Sequence, residues 1–260
     1  MHTLATPTVV FDLDGTLVHT VPDIASALDI ALAPYGCAPT SVSEASTMMG
    51  DGLSEFFWRA LVAKRLALPA LEADAARKAF IAAYRQSPAH LSEIYPGIRE
   101  LLSDLRSRDV LTAVCTNKVE TIAFDILDAL NLRDLFDAVV GSHDDRPMKP
   151  HPAPVEAAVR QAGGRMSRAM LVGDTGADNG AAIAASIPVV LLTYGYSHFP
   201  VRTLSYGTIV DDAAGLREAV LSFVSTDASM PKATPPFTEF DARPAADSLL
   251  DFEAPYRLAA

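Results

Sequence analysis

The chain reads as an α/β protein: a parallel sheet wound with helices on both faces and interrupted early by an all-helical block. Three observations predict this. An apolar, β-branched run, Val9-Val10-Phe11, stands near the start and breaks abruptly into Asp12-Leu13-Asp14-Gly15-Thr16. From about residue 98 to residue 224, strand-like and helix-like segments alternate. Between about residues 20 and 90 the apolar spacing is helical, and no strand pattern interrupts it.

Taken in order, the first strand ends in carboxylates, which are not core residues. Alternation puts Asp12 and Asp14 on one side, and Gly15 lets the chain turn away at once. At about 4 Å and an effective dielectric near 20, two such charges repel by roughly 4 kcal/mol, which invites a cation or a shared proton. An ordinary strand with an Asp-Gly turn is the plainer reading.

Helices are predicted over 23–35, with Ile24, Leu28, Ala31 and Leu32 on one face, then 41–49, 53–66 and 72–87. Gly50-Asp51-Gly52 and Pro69 separate them. Trp58 falls with Phe57 and Leu61 on an apolar face and reads as packing. Later helices are predicted over 98–108, 120–130, 154–162, 176–185 and 213–224, and strands over 111–116, 138–140, 169–172, 189–193 and 208–210. The crossovers of such a sheet are right-handed. Residues 225–260, with five prolines and many small and acidic residues, read as a disordered tail, in which 248–252 is a short apolar patch.

The 260 residues suffice for one large domain with an insertion. A formal net charge of −11 argues against nucleic acid or an anionic membrane as partner, but not against a small anionic substrate in a locally positive pocket. Cys37 and Cys115 lie far apart, so no disulfide framework is expected. With no leader-like or membrane-length apolar segment, the expectation is a soluble, cytoplasmic protein, monomer or homodimer.

Three later strand ends repeat the theme of the first. Residues 111–115 lead into Thr116-Asn117-Lys118, a hydroxyl and backbone amides near an expected helix start, and so a natural anion site. Lys149 lies in an extended turn between Met148 and Pro150. Residues 170–173 run into Asp174-Thr175-Gly176-Ala177-Asp178. In a parallel sheet all four strand ends converge on one crevice. Each also has a plain structural reading: Thr116 as a helix cap, Lys149 as a solvated loop residue, Asp178 as a first-turn acid. His143 and His151 read as loop residues.

The ordered set Asp12-x-Asp14-Gly15-Thr16, Thr116-Asn117, Lys149-Pro150 and Gly173-Asp174-x-x-x-Asp178 resembles the haloacid dehalogenase superfamily of phosphatases over residues 8–224. Within it, Met49-Gly50-Asp51-Gly52, Arg59-Ala60-Leu61, Tyr95-Pro96-Gly97 and residues 114–118 look most like bacterial phosphoglycolate phosphatases. The resemblance implies a Rossmann-like core formed by 1–19 and 91–224, with a mobile helical cap inserted over 20–90. It implies Asp12 as nucleophile, Asp14 as acid and base, and Thr116, Asn117 and Lys149 as binders of the phosphoryl group. It also implies a Mg²⁺ held by Asp12, the Asp14 carbonyl and Asp174, with Asp178 as a further ligand or as a support behind them. An acid at Asp14 suits an alkoxide leaving group, which needs a proton, rather than a halide.

His19-Thr20 stands where the phosphoglycolate phosphatase pattern usually has Asp-Ser, a departure that bears on the substrate. Specificity is expected from the cap, through the Gly50-Asp51-Gly52 turn and a cation for a substrate carboxylate. Arg59, Lys64 and Lys118 are candidates, each also readable as a surface or helix-face charge. The alternatives are a sugar-phosphate phosphatase, a pyrophosphatase, a β-phosphoglucomutase-like transferase, and a noncatalytic phosphate-binding module.

Overall fold

The computed structural model describes residues 6–226 except 51, 144, 145, 198, 199 and 205, so Asp51 and the tail expected over 225–260 fall outside the described residues from 227 onward and at 51. Six strands form a parallel sheet: β1 (Thr8–Phe11), β4 (Leu111–Val119), β5 (Ala138–Ser142), β6 (Ala169–Gly173), β7 (Val189–Leu192) and β8 (Thr208–Val210). Their order is β5-β4-β1-β6-β7-β8.

β1 lies between β4 and β6, with Phe11 level with Val114 on one side and Val172 on the other. The chain builds β4 and β5 on one side of β1, then crosses back to build β6, β7 and β8 on the other. β1 therefore sits at the switch point, where the carboxyl ends of its neighbours open into a crevice.

The strands read as unbroken apolar runs because both faces of the sheet are covered. Val9, Phe11, Val114 and Val172 join one buried cluster, while Val10, Ala113, Cys115 and Leu171 join another on the opposite face. The helices supplying these covers are α5 (Ile98–Ser107), α6 (Glu120–Ala129), α7 (Ala153–Gln161), α8 (Gly176–Ala185) and α9 (Ala213–Ser225).

Between β1 and β4 lie α1 (Val21–Leu32), α2 (Val42–Ser46), α3 (Leu53–Ala63) and α4 (Ala70–Gln86). α1 begins two residues earlier than its apolar spacing suggests because Pro22 suits a first turn, and it tightens into a 3₁₀ turn, Ala33–Tyr35, that stops at left-handed Gly36. Ser41 caps α2 by accepting from the Glu44 amide, and the helix ends at Ser46, three residues short of the expected 49. Phe56 and Phe57 on α3 stack on Phe80 of α4 at 5.7 and 6.0 Å, and all three are buried. Phe80→Ala is expected to destabilise the protein by about 3–5 kcal/mol, read as a lower urea midpoint.

Two short strands were not visible in the sequence. β2 (Val18–His19) and β3 (Glu93–Ile94) pair antiparallel where the chain leaves for the helical block and returns from it. Beside them, buried Asp23 accepts from the Leu91 amide at 2.9 and 3.0 Å and from Ser92 Oγ at 2.5 Å, tying exit to entry.

Candidate active site

Asp12 follows β1 directly, held in line by its amide, which donates to Val172 O at 2.9 Å. Its Oδ1 accepts from the Leu13 amide at 2.7 Å and from Lys149 Nζ at 3.0 Å. Oδ2 has no partner among the described residues. Gly15, at φ +83°, turns the chain away; a Cβ there would stand 2.4 Å from Asp174 Oδ2, so the tight approach of the two strand ends needs glycine.

Asp174 and Asp178 come from the β6–α8 junction and are fully buried. Asp174 is gripped at Oδ1 by Thr16 Oγ1 (2.7 Å) and at Oδ2 by the Tyr196 amide (2.6 Å). Asp178 accepts at Oδ2 from the amide and hydroxyl of Thr175, the cap of α8, while its Oδ1 meets Lys149 Nζ at 2.7 Å. Gly173 gives that carboxylate room, since a Cβ would lie 2.2 Å from Asp178 Cγ. Lys149 is thus wholly enclosed, with its third contact to Cys115 O at 2.7 Å.

The charges do not balance by themselves. Burial pushes Asp12 up to about 6, with Lys149 opposing and Asp178 and Asp14 adding to the rise. Burial, then Asp12 and Asp178, hold Asp174 well above the usual carboxylate range. Asp12, Asp174 and Asp178 offer oxygens within 4.8 Å of one another. Three negative charges against the single positive charge of Lys149 leave two, which a divalent cation matches. The donors are hard carboxylate oxygens, the set that suits Mg²⁺.

β4 runs three residues past the expected 111–116, through Asn117 and Lys118 to Val119, with a shift in its pairing to β5 between Cys115 and Val119, and α6 starts at Glu120 as expected. That irregularity re-aims the side chains of 116–118. Thr116 Oγ1 accepts from the Lys118 amide at 3.2 Å, leaving its proton to donate into the crevice. The Asn117 amide clamps the Lys149 backbone reciprocally, both contacts at 2.9 Å, and is committed to holding that loop.

Lys118, read above as a possible surface charge, is buried, with a side-chain exposure of 2%. Its ammonium bonds both oxygens of Asp14 at 2.8 and 2.9 Å and sits over the Tyr84 ring. Burial works against this charge, but Asp14 and Tyr84 outweigh it and hold the lysine above its ordinary value. Thr20 adds a short hydrogen bond to Asp14. His19 faces the other way, its Nδ1 2.7 Å from the Tyr196 hydroxyl; burial lowers its pKa, with Glu93 opposing.

Asp12, Asp14, Thr116, Asn117, Lys118 and Lys149 line one cavity of about 310 Å³, together with Gly50 and Gly52. Its far wall comes from the helical block: Ile24, Met49, Leu53, Phe56, Ile81 and, among charged residues, Arg85. Arg59 is not part of this lining; it packs back toward Met48, donating to its carbonyl at 3.2 Å. Lys64 likewise donates to Ala38 O at 2.8 Å. His151 accepts from the Ala153 amide at 3.1 Å, a loop contact.

The sequence reading missed Thr16, Thr175, Tyr196 and Arg85. Thr175 was findable, because threonine with an acid three residues later is the capping-box pattern. Thr16 stood inside the first motif without a role. Tyr196 and Arg85 reach the site only through tertiary packing.

Residues 9–192 match the model of the haloacid dehalogenase-like hydrolases, and the chain belongs to that family. It is a phosphoric monoester hydrolase, and its relatives include the phosphoglycolate phosphatases of Caulobacter vibrioides, 35% identical over 87% of this chain and 95% of that one, and of Rhodospirillum rubrum, 37% identical over 89% and 97%. A solved structure described as a predicted phosphoglycolate phosphatase from Haemophilus somnus superposes with a TM-score of 0.75 at 30% identity, covering 83% of this chain and 98% of that one. No helix among the described residues is long and apolar enough to cross a membrane.

Proposed function

We propose that this enzyme hydrolyses 2-phosphoglycolate, or a phosphomonoester of similar size, through an aspartyl-phosphate on Asp12. The observation that carries the reading is the asymmetry of Asp12: Oδ1 is fixed by Leu13 and Lys149, while Oδ2 is free beside the cavity. In the first step Oδ2 bonds to phosphorus as the ester P–O bond breaks, and Asp14 gives its proton to the leaving oxygen. In the second, Asp14 takes a proton from water, whose oxygen bonds to phosphorus as the Oδ2–P bond breaks.

Lys118 holds both oxygens of Asp14 and so fixes that carboxyl at the edge of the cavity. The Thr116 hydroxyl donates to a phosphoryl oxygen, and Lys149 keeps Asp12 aimed.

Mg²⁺ would be held by Asp12, Asp174 and the Asp14 carbonyl, with Asp178 beside them orienting Lys149, and would offset charge on the phosphoryl oxygens. Helices α1–α4 act as the cap that excludes water and long substrates. The cytoplasm suits two free thiols, Cys37 and Cys115.

Phosphate release is to be measured from 2-phosphoglycolate, sugar phosphates, pyrophosphate and nucleotides. Turnover of 2-phosphoglycolate is expected to exceed the others, to vanish in EDTA and to return with added Mg²⁺. Turnover of a sugar phosphate in preference would move the substrate and keep the mechanism; activity untouched by EDTA would remove the metal from it.

A further inference from the structure

Three cations line the cavity, and two are fixed to acids: Lys149 to Asp12 and Asp178, Lys118 to Asp14. The third, Arg85 in the last turn of α4, is exposed and has no hydrogen-bond or ion-pair partner among the described residues. The wall it belongs to is otherwise apolar, built from Ile24, Met49, Leu53, Phe56 and Ile81 with Ser54 beside them. We infer that Arg85 is the specificity-determining residue that reads a second anionic group, a carboxylate, on the substrate.

The inference rests on the phosphatase reading above and deepens it. With the phosphoryl group placed against Asp12, Thr116 and Lys149, the remainder of the substrate faces the helical block. Apolar side chains there offer nothing to the hydroxyls of a sugar, and a carboxylate set among them without a cation would be strongly disfavoured. Lys118 cannot serve without giving up Asp14. The guanidinium of Arg85 remains, and its planar fork matches both oxygens of a carboxylate. Water excluded by the bound ester strengthens the pair. A cavity of about 310 Å³ is at the small end for ligand sites, which suits a two-carbon acid.

Arg85 also stands where a cation favours a helix carboxyl end. That role would touch stability and not substrate choice, so kinetics separate the two. The test uses the Mg²⁺-loaded full chain with 2-phosphoglycolate and ethyl phosphate, esters of similar size that differ in the carboxylate. Arg85→Gln is expected to raise KM for 2-phosphoglycolate about 10- to 100-fold, the size of a lost charged hydrogen bond, while ethyl phosphate kinetics and the melting temperature stay as in wild type. Arg85→Lys recovers part of the loss, and salt raises the wild-type KM for 2-phosphoglycolate.

If the two esters respond alike to Arg85→Gln, or the preference for 2-phosphoglycolate survives it, this inference fails and the substrate reading stands. Wild type that hydrolyses ethyl phosphate as well as 2-phosphoglycolate overturns this inference and leaves the phosphatase reading, whereas wild type that hydrolyses neither overturns both. Preference for another phosphorylated carboxylic acid that disappears in Arg85→Gln overturns only the phosphoglycolate assignment.

Discussion

Asp12→Asn is expected to lower kcat by about 10⁴- to 10⁶-fold, the scale seen when a nucleophile is removed from an interdependent site, while the protein folds as before. The amide oxygen still accepts from Leu13, and Lys149 keeps Asp178 and Cys115 O, so geometry is retained and only the nucleophilic charge is lost. Stability should move the opposite way from activity in metal-free protein. The folded-state value of about 6 for Asp12 lies above the 3.8 of an unperturbed aspartate, so the folded state resists ionisation. That cost is absent below about pH 4, grows as pH rises, and is complete above about pH 6, reaching about 3 kcal/mol. Asp12→Asn escapes it. Melting in EDTA should therefore show the variant more stable than wild type at pH 8 and level with it near pH 4. A kcat within 100-fold of wild type would remove Asp12 from the nucleophile's place.

Much of this site was legible because a parallel sheet gathers the carboxyl ends of its strands at one edge. Asp12, Lys149, Asp174 and Asp178 each follow an apolar run or its turn, and order along the chain was enough to bring them together. What failed to show in the sequence depends on packing. The pair Lys118–Asp14 needs β4 to run on past Cys115 with a shifted register, and no local signal marks that shift. Arg59 and Arg85 stand on neighbouring helices and look alike as charges; only the packing of α3 and α4 decides that the first turns toward Met48 and the second toward the cavity. The β2–β3 ribbon is two residues wide, too short for any periodicity. Tyr196 follows β7 in a loop, where its amide finds Asp174 from 22 positions away.

Lys149→Met should cost both activity and stability, because one ammonium performs two tasks. It fixes Asp12 Oδ1, and removing that hold beside the developing phosphoryl charge is expected to lower kcat about 10²- to 10³-fold. It is also the cation that compensates Asp12 and Asp178, and a buried pair broken from one side costs about 3–5 kcal/mol, since the acids left behind stay desolvated. Urea unfolding at pH 8 in EDTA reads that loss. Lowering the pH toward 4 should shrink it, because an acid pushed up by burial takes a proton there and no longer needs the lysine. The double variant Lys149→Met with Asp178→Asn separates the tasks: one orphaned charge is gone, so stability recovers in part, whereas Asp12 is still unheld and kcat stays low. Coupling of this kind is measurable as non-additivity between the single variants. If the double variant is no more stable than Lys149→Met alone, the ion pair to Asp178 is not what the lysine contributes to the fold, and its pairing with Asp12 and its contact with Cys115 O account for the loss instead.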